Sequence, residues 1–260
     1  MVVCALVLLT LLAWVYLLYQ ERGMTSMKMA GPMMDMPMNM PMPMEMSMPQ
    51  MQPWQPAQLG LLFVMWAVMM VAMMLPTAAP MILLFATVNR KRREQRQPFV
   101  STGIFVAGYL IVWSIFAALA ALAQAKLHAA ALLSPMMVST SVVLGGVLLI
   151  AAGIFQFTPI KKACLSHCRS PLDFITSGWR DGGSGALLMG VRHGAYCVGC
   201  CWVLMTLLFV TGVMNVLWIA IIAGFVLLEK VAPSQISPWV SRVAGVALAG
   251  WGVWLLTFSR

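Results

Sequence analysis

Seven long apolar runs divide the chain, at roughly 2–19, 58–87, 99–124, 136–157, 185–211, 214–231 and 238–258. An α-helix needs about 20 such residues to cross a hydrocarbon core of about 30 Å. The pattern therefore predicts an all-α, polytopic membrane bundle of about seven transmembrane helices. The second and fifth runs are long enough to require tilt or a kink, and Pro76 and Pro80 can supply one in the second. Composition agrees. Hydrophobic residues make up 62% and charged residues 9%, and a mean hydropathy of +0.90 lies outside the range of ordinary soluble domains.

Polar positions between the runs carry the orientation. The net charge of +9 invites a nucleic-acid partner, but its placement excludes one. With seven spans, loops 88–98, 158–184 and 230–242 share one side. They hold Arg90, Lys91, Arg92, Arg93, Arg96, Lys161, Lys162, Arg169, Arg180, Lys230 and Arg242, which is 11 of the 16 basic residues. The opposite side has Arg22, Lys28, Lys126 and Arg260, and Arg192 falls inside a span. This asymmetry is the positive-inside rule. It puts these loops and the amino terminus in the cytoplasm and residues 24–52 outside it. Three parts result: a signal-anchor helix at 1–20, an external loop at 21–56 and a six-helix membrane domain at 57–260. A cleaved signal peptide is the competing reading of the first run, which lacks a basic leading segment and a clear small-x-small site before Gln20.

The external loop departs from every other segment. Thirteen methionines stand between Met24 and Met51, and Met34, Met36, Met38, Met40, Met42, Met44, Met46 and Met48 occupy alternate positions. Pro32, Pro37, Pro41, Pro43 and Pro49 bar a helix interior or a central strand, so a disordered loop is expected. In an extended chain, period two lines the thioethers along one side. A row of soft, neutral sulfurs suits a soft cation, and copper(I) is the common biological one.

A second set of soft ligands lies on the cytoplasmic side and within the fifth run. In TPIKKACLSHCRSP, Thr158 can cap a short interfacial helix with Pro159 at its first position and Pro171 beyond its end. Cys164 and Cys168 are then one turn apart, with His167 beside them. In GALLMGVRHGAYCVGCCWVLM, helical spacing stacks Met189, His193, Cys197, Cys200, Cys201 and Met205 on one face. Polar residues inside a membrane helix usually face protein or water and carry function. Two thiolates with copper(I) carry one negative charge, which Arg192 or another cation can neutralise. Zinc is the alternative metal, since Cys164, Cys168, Cys197 and Cys200 could close a four-thiolate site. The second run adds Met65, Met69 and Met73 on one stripe and Met70 and Met74 on the next, a sulfur path leading inward from the loop. Glu229 and Lys230 read as a plain interfacial ion pair.

The runs MWAVMMVAMMLP, CLSHCRSP, MGVRHGAYCVGCCW, the Trp179-Arg180 pair and the Glu229-Lys230 end of the sixth run carry a resemblance. Over roughly residues 58–250 the chain resembles the bacterial family of predicted metal-binding integral membrane proteins, a domain of unknown function labelled copper chaperone. The resemblance implies a polytopic copper-handling protein of the inner membrane. It carries the family motif onto Cys164, Cys168, His193, Cys197, Cys200 and Cys201. It does not reach the first run or the methionine loop.

The expected function is non-enzymatic. Copper(I) is captured outside the cytoplasm and held for, or delivered to, a membrane or periplasmic cuproenzyme or copper carrier. A copper permease is one alternative, although no clear inverted repeat is visible. A membrane thiol-disulfide oxidoreductase using Cys197 and Cys200 is the other, but it leaves the methionine loop without a role. The absence of a nucleotide motif argues against an ATP-driven pump.

Overall fold

The computed structural model describes residues 2–29, 56–130, 141–233 and 235–258, and all regular structure among them is helical. The chain order is α1 (Val2–Met29), α2 (Pro56–Glu94), α3 (Thr102–Ala129), α4 (Val142–Phe155), α5 (Pro159–Arg169), α6 (Pro171–Gly178), α7 (Gly182–Thr206), α8 (Leu208–Thr211), α9 (Val216–Val231) and α10 (Ser237–Phe258). α1 continues through Met29 into the segment expected as an external loop at 21–56, and the methionines from Met33 to Met51 lie outside the described residues.

Five helices are long and apolar enough to cross a membrane, or six if the bent pair α4 and α5 counts as one span. The expected count of seven is thus matched only in part. α9 has 16 residues, about 24 Å of helix, and the predicted fourth span begins in a stretch outside the described residues. α4 and α5 meet at 63°, so the chain turns aside where the sequence predicted an interfacial helix. Its start is as expected. The Thr158 hydroxyl accepts from the Lys161 amide at 3.3 Å, and Pro159 opens the helix.

Burial separates the centre of the bundle from its rim. About half of the apolar window of α2 is buried (50%) and slightly more of that of α7 (56%), against 11% for α1 and 17% for α10. The inner helices therefore hold the candidate chemistry, and the outer ones present apolar side chains to their surroundings. At 39 residues α2 is about 58 Å long, so the basic residues of its last turn, Lys91, Arg92 and Arg93, clear an apolar core of about 30 Å. It runs unbroken through Pro76 and Pro80. Proline at position 76 has no N–H for the carbonyl of Ala72. The indole N–H of Trp14 on α1 donates to that carbonyl instead, at 3.2 Å. The orphaned group is thereby satisfied, and α1 is tied to α2.

α3 and α7 approach backbone to backbone. A Cβ on Gly108 would run into the carbonyl of Leu187, and one on Gly190 into that of Phe105. Where apolar surroundings supply no hydrophobic drive, such close van der Waals contact is a main source of helix association. The same device joins α4 to α10, where a Cβ on Gly153 would come within 2.7 Å of the Gly245 carbonyl.

The Gly190 crossing sets the position of every cysteine on α7. Gly190→Ala puts a methyl against backbone, which cannot rotate away, and is expected to cost about 3 kcal/mol. Thermal unfolding of the detergent-purified protein measures this, and an unchanged midpoint would show that the crossing is looser than described.

Candidate metal centre

α7 brings Met189, His193, Cys197, Cys200, Cys201 and Met205 to one buried face, each at 3% exposure or less. Helical repeat alone accounts for that alignment. What surrounds the face comes from five other helices. The thiols of Cys200 and Cys201 donate back to the Cys197 carbonyl at 3.1 and 2.9 Å, a local satisfaction available to a short side chain inside a helix. The Cys197 sulfur faces outward from α7 and meets polar groups. Lys230 Nζ of α9 lies 3.0 Å away, and the Tyr109 hydroxyl of α3 lies 3.1 Å away.

Both partners are held from α2. Lys230 Nζ also donates to Thr77 Oγ1 at 2.9 Å, and the Tyr109 hydroxyl donates to the Met74 carbonyl at 3.0 Å. Met74 contributes its side chain as well, since Cys201 Sγ lies 3.9 Å from Met74 Sδ. This contact joins the thioether stripe of α2 to the thiols of α7. Met65, Met69, Met70, Met73 and Met74 are all buried, at 4% exposure or less.

On the other side of α7 stand the half-buried thiols of α5. Cys168 lies close to Cys200 of α7. Cys164 is seated over Gly199, where a Cβ would come within 2.7 Å of its sulfur. Burial pushes the Cys164 thiol above its ordinary range, and the nearby Cys200 sulfur adds to that shift. All six cysteines are free. Among the described residues, no three His, Cys, Asp or Glu side chains form one group that could hold a metal.

His193 stands one turn before Cys197 in an aromatic cage, with ring centroids 6.1 Å from Phe105, 5.7 Å from Tyr109 and 5.8 Å from Phe174. Its Nδ1 is buried without a hydrogen-bond partner. A buried polar atom left unpaired calls for an explanation. A neutral imidazole nitrogen beside soft sulfurs fits the donor chemistry of a copper(I) ligand. His167 is placed differently, exposed and stacked on Tyr196 at 4.3 Å.

Two sequence expectations change here. Arg192 does not neutralise the thiols, because its guanidinium sits 5.9 Å over the Phe174 ring. Nor do Glu229 and Lys230 pair with each other. The Glu229 carboxylate binds Lys161 of α5 at 2.7 and 2.8 Å and accepts from Ser241 of α10 at 2.6 Å. Lys161 also donates to Gln156 Oε1. Adjacent residues on a helix point about 100° apart, so one turns to α5 while the other reaches the cysteines. Lys230, Tyr109 and Thr77 were absent from the sequence-based site. Lys230 alone carried a signal, as an ionisable side chain at the end of an apolar run.

The profile of the PpoB2 copper chaperone family matches residues 63–255, which contain every thiol pair and the whole Lys230 contact set. The chain belongs to the copper chaperone family. No curated protein and no solved structure matches it. The family supports a role connected with copper and agrees with the soft donors found on α2, α5 and α7. The match leaves out the first helix and the methionine loop.

The Lys161–Glu229 pair fixes α5, and with it Cys164 and Cys168, against α9. Both ions are at most 2% exposed. Lys161→Met leaves a buried carboxylate alone and is expected to destabilise the protein by about 3–5 kcal/mol. A double variant with Glu229→Leu should recover much of that loss. Chemical denaturation monitored by tryptophan fluorescence checks both, and a neutral single variant would remove the clamp from the account.

Proposed function

We propose that this protein takes copper(I) from outside the cytoplasm, holds it within the membrane on thiolates and passes it to a cuproenzyme or a copper carrier. The observation that carries the reading is the Met74–Cys201 sulfur contact at 3.9 Å. It connects a thioether stripe descending from the methionine loop to the thiols of α7. Neutral thioethers bind copper(I) weakly enough to exchange it. Thiolates bind it more tightly, so the ion moves inward along a gradient of affinity. Met34, Met36, Met38, Met40, Met42, Met44, Met46 and Met48 are the proposed capture ligands. The proposed holding site draws on Cys164, Cys168, His193, Cys197, Cys200 and Cys201, with Met189 and Met205 on the same face. We place the protein in a bacterial inner membrane, crossing it seven times with α9 as a short sixth span. A copper permease is the second reading, favoured by the seating of Cys164 over Gly199, which brings the sulfurs of α5 up to α7.

Orientation follows from charge. A reporter fused in loop 88–98 is expected in the cytoplasm and one fused in 24–52 outside it. Both on the same side would overturn the capture scheme.

Metal analysis tests the chemistry. Protein purified anaerobically from copper-replete cells should hold copper(I) with sulfur-dominated X-ray absorption, lost in folded Cys197→Ser. Thiolate ligands lose protons on binding, so affinity should fall about tenfold per pH unit on acidification for each proton displaced. Loop methionines replaced by leucine should remove only a weaker, pH-insensitive fraction. Stoichiometric zinc in place of copper would sink the reading.

A further inference from the structure

Among the described residues, Lys230 is the cation within hydrogen-bond distance of a cysteine sulfur. Its ammonium is buried, 3.0 Å from Cys197 Sγ and 2.9 Å from Thr77 Oγ1. The other charges nearby are already engaged. Lys161 is matched by Glu229, and Arg192 lies over Phe174. Tyr109 and Thr77, which complete the contact set, bring no formal charge as hydroxyls. The site therefore has one fixed positive charge that no carboxylate answers.

We infer that Lys230 sets the charge of the ion this site accepts, selecting a soft monovalent cation over a divalent one. This inference rests on the metal-holding reading above. Among the described residues no three such side chains form one metal-holding group, and Cys200 and Cys201 each stand one turn from Cys197 and donate to its carbonyl. Two thiolates, one monovalent ion and the Lys230 ammonium sum to zero. Two thiolates, one divalent ion and the ammonium sum to plus one, in a setting where an unbalanced charge is strongly disfavoured. Without Lys230 the order reverses, because the monovalent complex then carries minus one and the divalent complex is neutral. The position is suited to this role. Thr77 holds Nζ at the sulfur, and Glu229, the preceding residue, is occupied on α5 and cannot quench it.

The experiment compares silver(I), a redox-inert stand-in for copper(I), with zinc(II) on the full-length protein in detergent. Affinities are measured by competition with chelators at fixed pH. The variants are Lys230→Gln, which keeps a hydrogen-bond donor and removes the charge, and Lys230→Arg, which keeps the charge. The ratio of silver to zinc affinity is expected to fall at least tenfold in Lys230→Gln and to stay within about threefold of wild type in Lys230→Arg. A purely structural lysine would weaken both metals together. An unchanged ratio in folded Lys230→Gln, or a tenfold fall in Lys230→Arg, would overturn the inference while leaving the copper reading intact. If wild type binds no silver(I), it is the copper reading that fails. Should Lys230→Gln not fold, Lys230→Met is read by the same ratio.

Discussion

Two adjacent residues at the end of α9 organise the inner part of this molecule, because a charge buried among apolar helices must find a partner. Glu229 turns to Lys161 and Ser241, which draws α5 and α10 onto α9. Lys230 turns to Cys197 and Thr77, which draws α7 and α2 to the same point. Helix geometry separates the two side chains, so one short segment serves four neighbours. The first contact ties α5, the helix that carries Cys164 and Cys168, to α9. The second puts a positive charge at the Cys197 sulfur.

The close crossing of α3 and α7 works alongside this. Gly108 and Gly190 let the backbones touch, and that depth of approach brings Tyr109 to Cys197 and the ring cage to His193. α2 then closes the other side. The Tyr109 hydroxyl is received by the Met74 carbonyl, while the Met74 thioether meets Cys201. A single residue of α2 is thus a backbone partner for α3 and a sulfur partner for α7. In the proposed copper path that sulfur contact has a use, and the soft, neutral character of a thioether suits methionine to the position.

Much of this could be read before any tertiary contact was known. Apolar run lengths announced an all-helical bundle, and Thr158, Pro159 and Pro171 marked the short helix that carries Cys164 and Cys168. Periodicity alone put Met189, His193, Cys197, Cys200, Cys201 and Met205 on one face, because helical repeat is a local property. Residues 30–55 of the methionine loop lie outside the described residues, so the part of that segment in the scheme rests on its composition. The span count was less secure. Hydropathy does not register a 63° bend between α4 and α5 or the shortness of α9.

Sequence by itself therefore determined the all-helical class, the buried face of α7 and the soft chemistry of its side chains, all of which follow from residue type and a repeat of 3.6. Only the tertiary structure decided which charge serves which partner. Arg192 is next to His193 in the chain, yet lies over Phe174, while Lys230, 33 residues from Cys197, reaches its sulfur. Adjacency in sequence proposed Glu229 with Lys230 and Arg192 with the thiols, and both pairings gave way. The reason is electrostatic and geometric together. A buried charge settles on whatever opposite or polar group the packed helices bring within about 3 Å, and that distance is fixed by how helices cross, which no local pattern encodes.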